Sequence, residues 1–330
     1  MDNETKEKLL KLIKKEKSIK SVAAALDITE TQVLGLVNIL KEDGINIVEQ
    51  KKDDGIYIIN QGETRESITS KNFQTNDSNE FRFLLISDTR LGSKYQQLSE
   101  LNNLYQIADN LGIDTVIHCG NLSAGLYSIK SPYADTNFID DTQGQIDYIV
   151  ENYPYIEGIT TYFITGKKDN EHLSKKGINI GRRIEQQRDD MKYLGNTSCT
   201  VNIDKAQMML INSKLSKTYT VSYRAQQHID SFRSEDKPDI LLYAGHLQME
   251  NLTYRGVHTI SVPSLCATTP EMNEKRYMNT VGAFFVTVKT DKYGKFESIK
   301  SMWSPYYKTN KKDYEKAKVL KLTKGGQNGR

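Results

Sequence analysis

Four short apolar runs, each ending in a knot of polar residues, constrain this chain more than any other feature. Phe81-Arg82-Phe83-Leu84-Leu85-Ile86-Ser87 runs into Asp88, and Thr115-Val116-Ile117-His118-Cys119 runs into Gly120-Asn121. Thr161-Tyr162-Phe163-Ile164-Thr165 leads to Gly166-Lys167-Lys168-Asp169, and Asp239-Ile240-Leu241-Leu242-Tyr243-Ala244 to Gly245-His246-Leu247-Gln248. Runs this apolar and this short are strands buried on both faces, as in parallel sheets covered by helices. Helical stretches lie between them, the first reaching Asn110. Open α/β sheets place their site at the carboxyl ends of the strands, so the four polar ends are expected to converge. Two closing strands, 281–288 and 296–299, flank a turn at 291–295 and complete a sandwich.

The first sixty residues have a different grammar. Leu9, Leu10 and Ile13 recur at helical spacing, and 18–26 reads as a second short helix. A third helix starts after Asp27-Ile28-Thr29, with Thr29 as N-cap and Gln32 at the capping-box position, and Gly44 stops it. Extended runs at 45–50 and 56–59 are joined through Lys51-Lys52-Asp53-Asp54-Gly55, whose Asp-Gly is a hairpin signal. Three helices and a hairpin over residues 1–60 resemble a winged helix-turn-helix domain. A version that reads DNA would put Thr31, Gln32 and Asn38 on base edges and Lys51 and Lys52 on phosphates. The third helix has no basic residue before Lys41, so contact with a protein partner is the competing reading.

Charge is unevenly spread. The 330 residues carry a net +3, yet residues 1–60 hold ten Lys against eleven Asp and Glu. Residues 308–330 hold eight basic groups against two acidic ones. The basic balance therefore belongs to a Lys-rich tail, expected to be solvated or to touch nucleic acid nonspecifically. Residues 61–80 read as a polar linker, and 81–307 as the second domain. No run is apolar enough to span a membrane, so no membrane role is expected. Cys119, Cys199 and Cys266 form neither a disulfide framework nor a zinc pattern, and the charged N-terminus lacks signal-peptide character, so the expected location is cytoplasmic.

In order and spacing, residues 1–307 resemble calcineurin-like metallophosphoesterases, in particular members with an N-terminal winged helix found in bacteriophages and other mobile elements. The resemblance implies an αββα sandwich preceded by a small winged-helix domain. That family's pattern is D-x-H, G-D, G-N-H-[DE], a lone His and G-H-x-H. Here the matching residues are Asp88-Thr89-Arg90, Gly120-Asn121, Gly166-Lys167-Lys168-Asp169, a position near Asn212, and Gly245-His246-Leu247-Gln248. Arg90 thus replaces a ligand, and a guanidinium has no lone pair to offer. Asn121 replaces the bridging aspartate, Lys167 an asparagine ligand, Lys168 the catalytic His, and Gln248 the last His. Asp88 and His246 alone remain of the usual ligands.

Two ligands do not hold two metals, and Arg90, Lys167 and Lys168 would oppose any that approached. No resident cofactor, no metal ligand set and no catalytic residue are therefore expected. The same cations suit a phosphate or phosphodiester, which predicts a pseudoenzyme whose old pocket binds an anion. Alternatively, Arg90 and the lysines pair with Asp88 and Asp169 and fill the pocket. The expected role is an accessory or regulatory factor that binds nucleic acid or a protein. Two rivals stand beside it: a phosphodiesterase or nuclease with residual activity on one ion such as Mn²⁺, and a pure interaction scaffold. In the first, Asp88, Asn121 and His246 would hold the ion, with Asp169 or a loop-borne His172 assisting. His118 reads as a packed core residue, and His228 and His258 as structural or surface groups.

Overall fold

The computed structural model describes residues 3–13, 16–42, 47–52, 55–60, 71–128, 130–212, 222–245, 250–277, 279–316 and 321–322. The first elements are α1 (Asn3–Leu12), β1 (Lys17–Ser18), α2 (Ile19–Leu26), α3 (Glu30–Glu42), β2 (Ile47–Lys52) and β3 (Gly55–Asn60). Strands β1, β3 and β2 form a three-stranded sheet, with Lys52 opposite Gly55 across the hairpin. Leu9, Ile13, Val22, Val33, Leu36, Val37, Leu40, Ile47 and Ile58 close a core between helices and sheet. The capping box is present: the Thr29 amide donates to Gln32 Oε1 at 2.8 Å, and the Gln32 amide to Thr29 Oγ1 at 3.2 Å.

Next come β4 (Asn72–Phe73), β5 (Glu80–Ile86), α4 (Leu98–Asn110), β6 (Thr115–His118), α5 (Thr142–Asn152), β7 (Tyr155–Ile156), β8 (Thr160–Thr165), α6 (Lys167–Lys176), α7 (Ile180–Glu185) and β9 (Met191–Asn196). They are followed by β10 (Ser198–Ile203), β11 (Ala206–Asn212), α8 (Tyr223–Ser231), β12 (Ile240–Ala244), β13 (Glu250–Tyr254), β14 (Val257–Ser261), α9 (Pro270–Glu274), β15 (Gly282–Thr290), β16 (Phe296–Pro305), α10 (Asp313–Lys316) and β17 (Lys321–Leu322). Two six-stranded sheets result, ordered β16-β15-β5-β6-β8-β9 and β13-β14-β12-β11-β10-β4. Strands β5, β6, β8 and β9 run parallel, and β15 and β16 add antiparallel strands at one edge.

The period of two along β5 explains the layering. Phe83 and Leu85 face the second sheet and pack with Ile117, Ile164, Val201, Met208 and Leu242. Leu84 and Ile86 face the other way, onto Leu101, Leu104 and Ala108 of α4, Ile149 of α5 and Ile184 of α7. On the far side, Ile229 of α8 covers Leu241 and Tyr243. The body is therefore a mixed α/β sandwich layered helix, sheet, sheet, helix.

Two boundaries differ from expectation. Residues 71–80, read as linker, belong to the body: β4 pairs with β10, and Phe73 is buried and stacked on Phe81 at 4.7 Å. One aromatic in a polar stretch was enough, because it fills a gap between the sheet edges. The segment after residue 307, read as a solvated tail, is docked through residue 316. Asp313 is buried and accepts from the amides of Leu98 and Ser99 and from the Ser99 hydroxyl. It caps α4, whose own N-cap residue, Gln97, makes no side-chain cap. Tyr314 stacks on Phe138 at 5.2 Å, and β17 pairs with β7.

Candidate functional site

The polar turns after β5, β6 and β8 meet at the carboxyl edge of the parallel strands, together with the end of β11. His246 and Gln248 lie outside the described residues. Asp88, Arg90 and Asn121 all have left-handed backbones, with φ of 54°, 46° and 58°. Three non-glycine residues in that region within one site are strained turns that the surroundings must hold. The surroundings do so through backbone bonds: Asp88 N–H to Gly120 O at 2.9 Å, and Arg90 N–H to Asn121 O at 3.0 Å. A Cβ at Gly166 would sit 2.4 Å from Asn121 Oδ1 and 2.7 Å from Asn121 N, so these turns meet backbone to backbone.

Asp88 is the centre of the network, and it faces hydrogen-bond donors. Its Oδ1 accepts from Arg90 Nε (3.2 Å), Arg90 Nη2 (2.9 Å) and Asn121 Nδ2 (2.9 Å). Its Oδ2 accepts from Ser87 Oγ at 2.8 Å. Asp88, Arg90 and Asn121 are all buried. Burial pulls the Arg90 pKa down, but the Asp88 carboxylate more than restores it, so the guanidinium is held charged. Asn121 turns its amide NH₂ toward Asp88 and its oxygen to the amide of Lys168 at 2.8 Å. Asn212, at the lone-His position, donates to Cys119 O at 2.6 Å.

The donor set of the described residues does not fit a divalent ion. An ion on Asp88 would have to displace a guanidinium and an amide, and Asn121 offers it the wrong end. Among the described residues, no group of three or more His, Cys, Asp or Glu side chains is placed to share an ion. The two helpers proposed for a single ion point elsewhere. Asp169 binds the amides of Leu122 (3.1 Å), Ser123 (2.8 Å) and Gly166 (2.8 Å), and the Ser123 hydroxyl. Burial pushes its pKa up to about 6, those hydrogen bonds pulling against the rise. His172 lies inside α6, not in a loop, and is buried between Thr142 Oγ1 (3.0 Å) and Ser123 Oγ (3.2 Å). Burial lowers its pKa to about 4, and that of the core residue His118 to about 3. Both are neutral near pH 7.

The expected pairing of the cations is half realised. Arg90 pairs with Asp88 at 2.9 Å, but among the described residues Asp169 pairs with no lysine, being spent on the start of α6. Lys168 reaches Glu171 instead, at 3.3 Å, and lies 4.1 Å above the Tyr127 ring. Burial lowers the Lys168 pKa, and Glu171 partly offsets it. Lys167 is exposed at the rim. A cleft of about 60 Å³ remains, lined by Arg90, Asn121, Lys167 and Lys168 on one side and by Glu271, Met272, Lys275 and Tyr277 on the other. The second group, from α9 and the residues after it, carries no motif in the sequence; Thr269-Pro270 signals only a helix start. The turn that brings α9 over the site is a property of the fold.

Thr31, Gln32, Asn38, Lys51 and Lys52 are all exposed on the N-terminal unit. Gln32 is folded back into the capping box, and Lys52 pairs with Glu16 at 2.7 Å and lies 4.4 Å from the Tyr57 ring. Gln32, a base-edge candidate, and Lys52, a phosphate candidate, are thus both engaged within the unit.

No family model and no curated protein matches the chain. Among solved structures it is similar to an archaeal phosphodiesterase at 12% identity, with 68% of this chain and 100% of that one covered and a TM-score of 0.38. It is similar to the zinc complex of Vps29 from Entamoeba histolytica at 13% identity, with 68% and 99% covered and a TM-score of 0.35. A predicted phosphoesterase from Streptococcus pneumoniae is 12% identical over 68% of this chain and 98% of its own, with a TM-score of 0.31.

Proposed function

We propose that this chain is a metallophosphoesterase-like protein that has exchanged its metal centre for a hydrogen-bonded cluster. It works without catalysis, as an accessory factor that docks on a protein partner. The carrying observation is Asp88 Oδ1, which holds three donors where a metal ligand should hold an ion. A carboxylate so engaged generates no metal hydroxide.

The N-terminal unit is read as a winged helix, and its chemistry favours protein over DNA. Of the five candidate DNA contacts, Gln32 and Lys52 are tied up internally. The outward face of α3 presents Thr31, Gly35, Asn38 and Ile39, uncharged and partly apolar. Phosphate neutralisation, the main source of DNA affinity, has little to work with there.

The test is hydrolysis of a generic phosphodiester by the full chain with Mn²⁺, beside elemental analysis after Mn²⁺ loading and desalting. No turnover above the blank and retained metal well below one per chain are expected. Turnover that disappears in Asp88→Ala would overturn the non-catalytic reading. DNA binding whose log affinity falls linearly with log salt would overturn the preference for a protein partner.

A further inference from the structure

We infer that the cleft between Arg90 and Lys275 is a metal-free site for a terminal phosphate group. The inference rests on the non-catalytic reading above and gives that site a ligand class. Arg90 is 3% exposed, and its Nε and Nη2 are both spent on Asp88. Among the described residues its Nη1 has no hydrogen-bond partner, and the side chain forms a wall of the cleft. A buried guanidinium with both Nη1 N–H groups unused is an oxyanion donor already desolvated and aimed. The left-handed backbone at Arg90 and its amide bond to Asn121 O fix where that donor points.

Two further groups on the cleft are unspent among the described residues. Lys167 is exposed on the rim without a carboxylate partner there, and the Tyr277 hydroxyl opposite has no hydrogen-bond partner among them. The charged groups around the cleft are Arg90, Lys167, Lys168 and Lys275 against Asp88, Glu171 and Glu271. Each carboxylate is already engaged: Asp88 by Arg90, Glu171 by Lys168 and Lys175, Glu271 by Lys275 at 2.7 Å and the Tyr127 hydroxyl at 2.9 Å. Of the cations lining the cleft, Lys167 has no carboxylate partner among the described residues. About 60 Å³ admits a phosphate head and leaves its substituent outside. A group substituted on one oxygen enters such a recess; an internal diester, whose chain leaves in two directions, does not.

The full chain, in buffer containing EDTA, is titrated by calorimetry with inorganic phosphate, a 5′-mononucleotide and a dinucleoside monophosphate. Phosphate and the mononucleotide are expected to bind, the diester about tenfold more weakly or not at all. Lys167→Ala and Tyr277→Phe, both at the rim and outside the buried Asp88 cluster, are expected to weaken phosphate several-fold together. No binding by folded protein in EDTA would overturn the inference. So would affinity unchanged in the double variant, or binding that requires Mn²⁺. Phosphodiester turnover with Mn²⁺ would instead strike the non-catalytic reading, so the two failures are distinguishable.

Discussion

Arg90 turns back onto Asp88, two residues earlier, and sets both Nε and Nη2 on one carboxylate oxygen, at 3.2 and 2.9 Å. Both residues are at most 3% exposed, so the pair is a buried ion pair closed within a single strained turn. Removing one member leaves the other charge buried alone.

Asp88→Ala is therefore expected to cost about 3–5 kcal/mol in urea unfolding, and Asp88→Ala with Arg90→Met much less than that. At a metal ligand the same change would cost activity and little apo-protein stability. A single variant as stable as the parent would contradict the pairing.

Asp313 caps α4 from the far end of the chain. Asp313→Ala should destabilise the body by about 1–2 kcal/mol, read as a lowered thermal midpoint. An unchanged midpoint would return the segment to the role of solvated tail.

His172 and His118 are buried neutral, at about 4 and about 3, whereas unfolded imidazoles titrate near 6.5. Below 6.5 the unfolded chain binds protons that the folded one refuses, so stability falls as pH drops toward 4. Asp169, raised to about 6, acts the other way, losing stability as pH rises from 3.8 to 6. In His172→Gln, which keeps polar contacts to Thr142 and Ser123, the slope of stability against pH between 4.5 and 6 should drop by about 1.4 kcal/mol per unit. An unaltered slope would mean that His172 is protonated in the fold.

Phe73 closes the gap between the sheet edges, stacked on Phe81 and edge-on to Tyr162 at 4.9 Å. Phe73→Ala is expected to cost about 3 kcal/mol by chemical denaturation. A loss under about 0.5 kcal/mol, typical of a surface change, would show that 71–80 is the linker its composition suggests.

The parallel strands were legible because their apolar runs are local, and Thr29 and Gln32 because a capping box spans four residues. Lys168–Glu171 is equally local, at helical spacing. What the sequence concealed is separated along the chain. Asp313 serves an amide 215 residues away, and Glu271, Lys275 and Tyr277 reach the cleft only after the chain has crossed both sheets. Asp169 misled because a carboxylate among lysines looks like their counterion, whereas three backbone amides had the prior claim.

Helix α6 begins at the cleft and ends against the N-terminal unit, where Leu173 packs on the Leu9–Ile58 core and Leu10 approaches Gly177. The chain is thus fastened twice, once along its backbone and once by this greasy seam. Cleavage within residues 61–70 would not release two contented halves. The larger piece would carry a bare Leu173, the smaller an uncovered Leu10, and each would seek the other or a stranger. At ten residues, α6 is about 15 Å long, with Lys167 and Lys168 at its first turn and Leu173 beside Lys175 and Lys176 in its last turns. The seam at Leu173 and the cleft residues Lys167 and Lys168 thus belong to one helix.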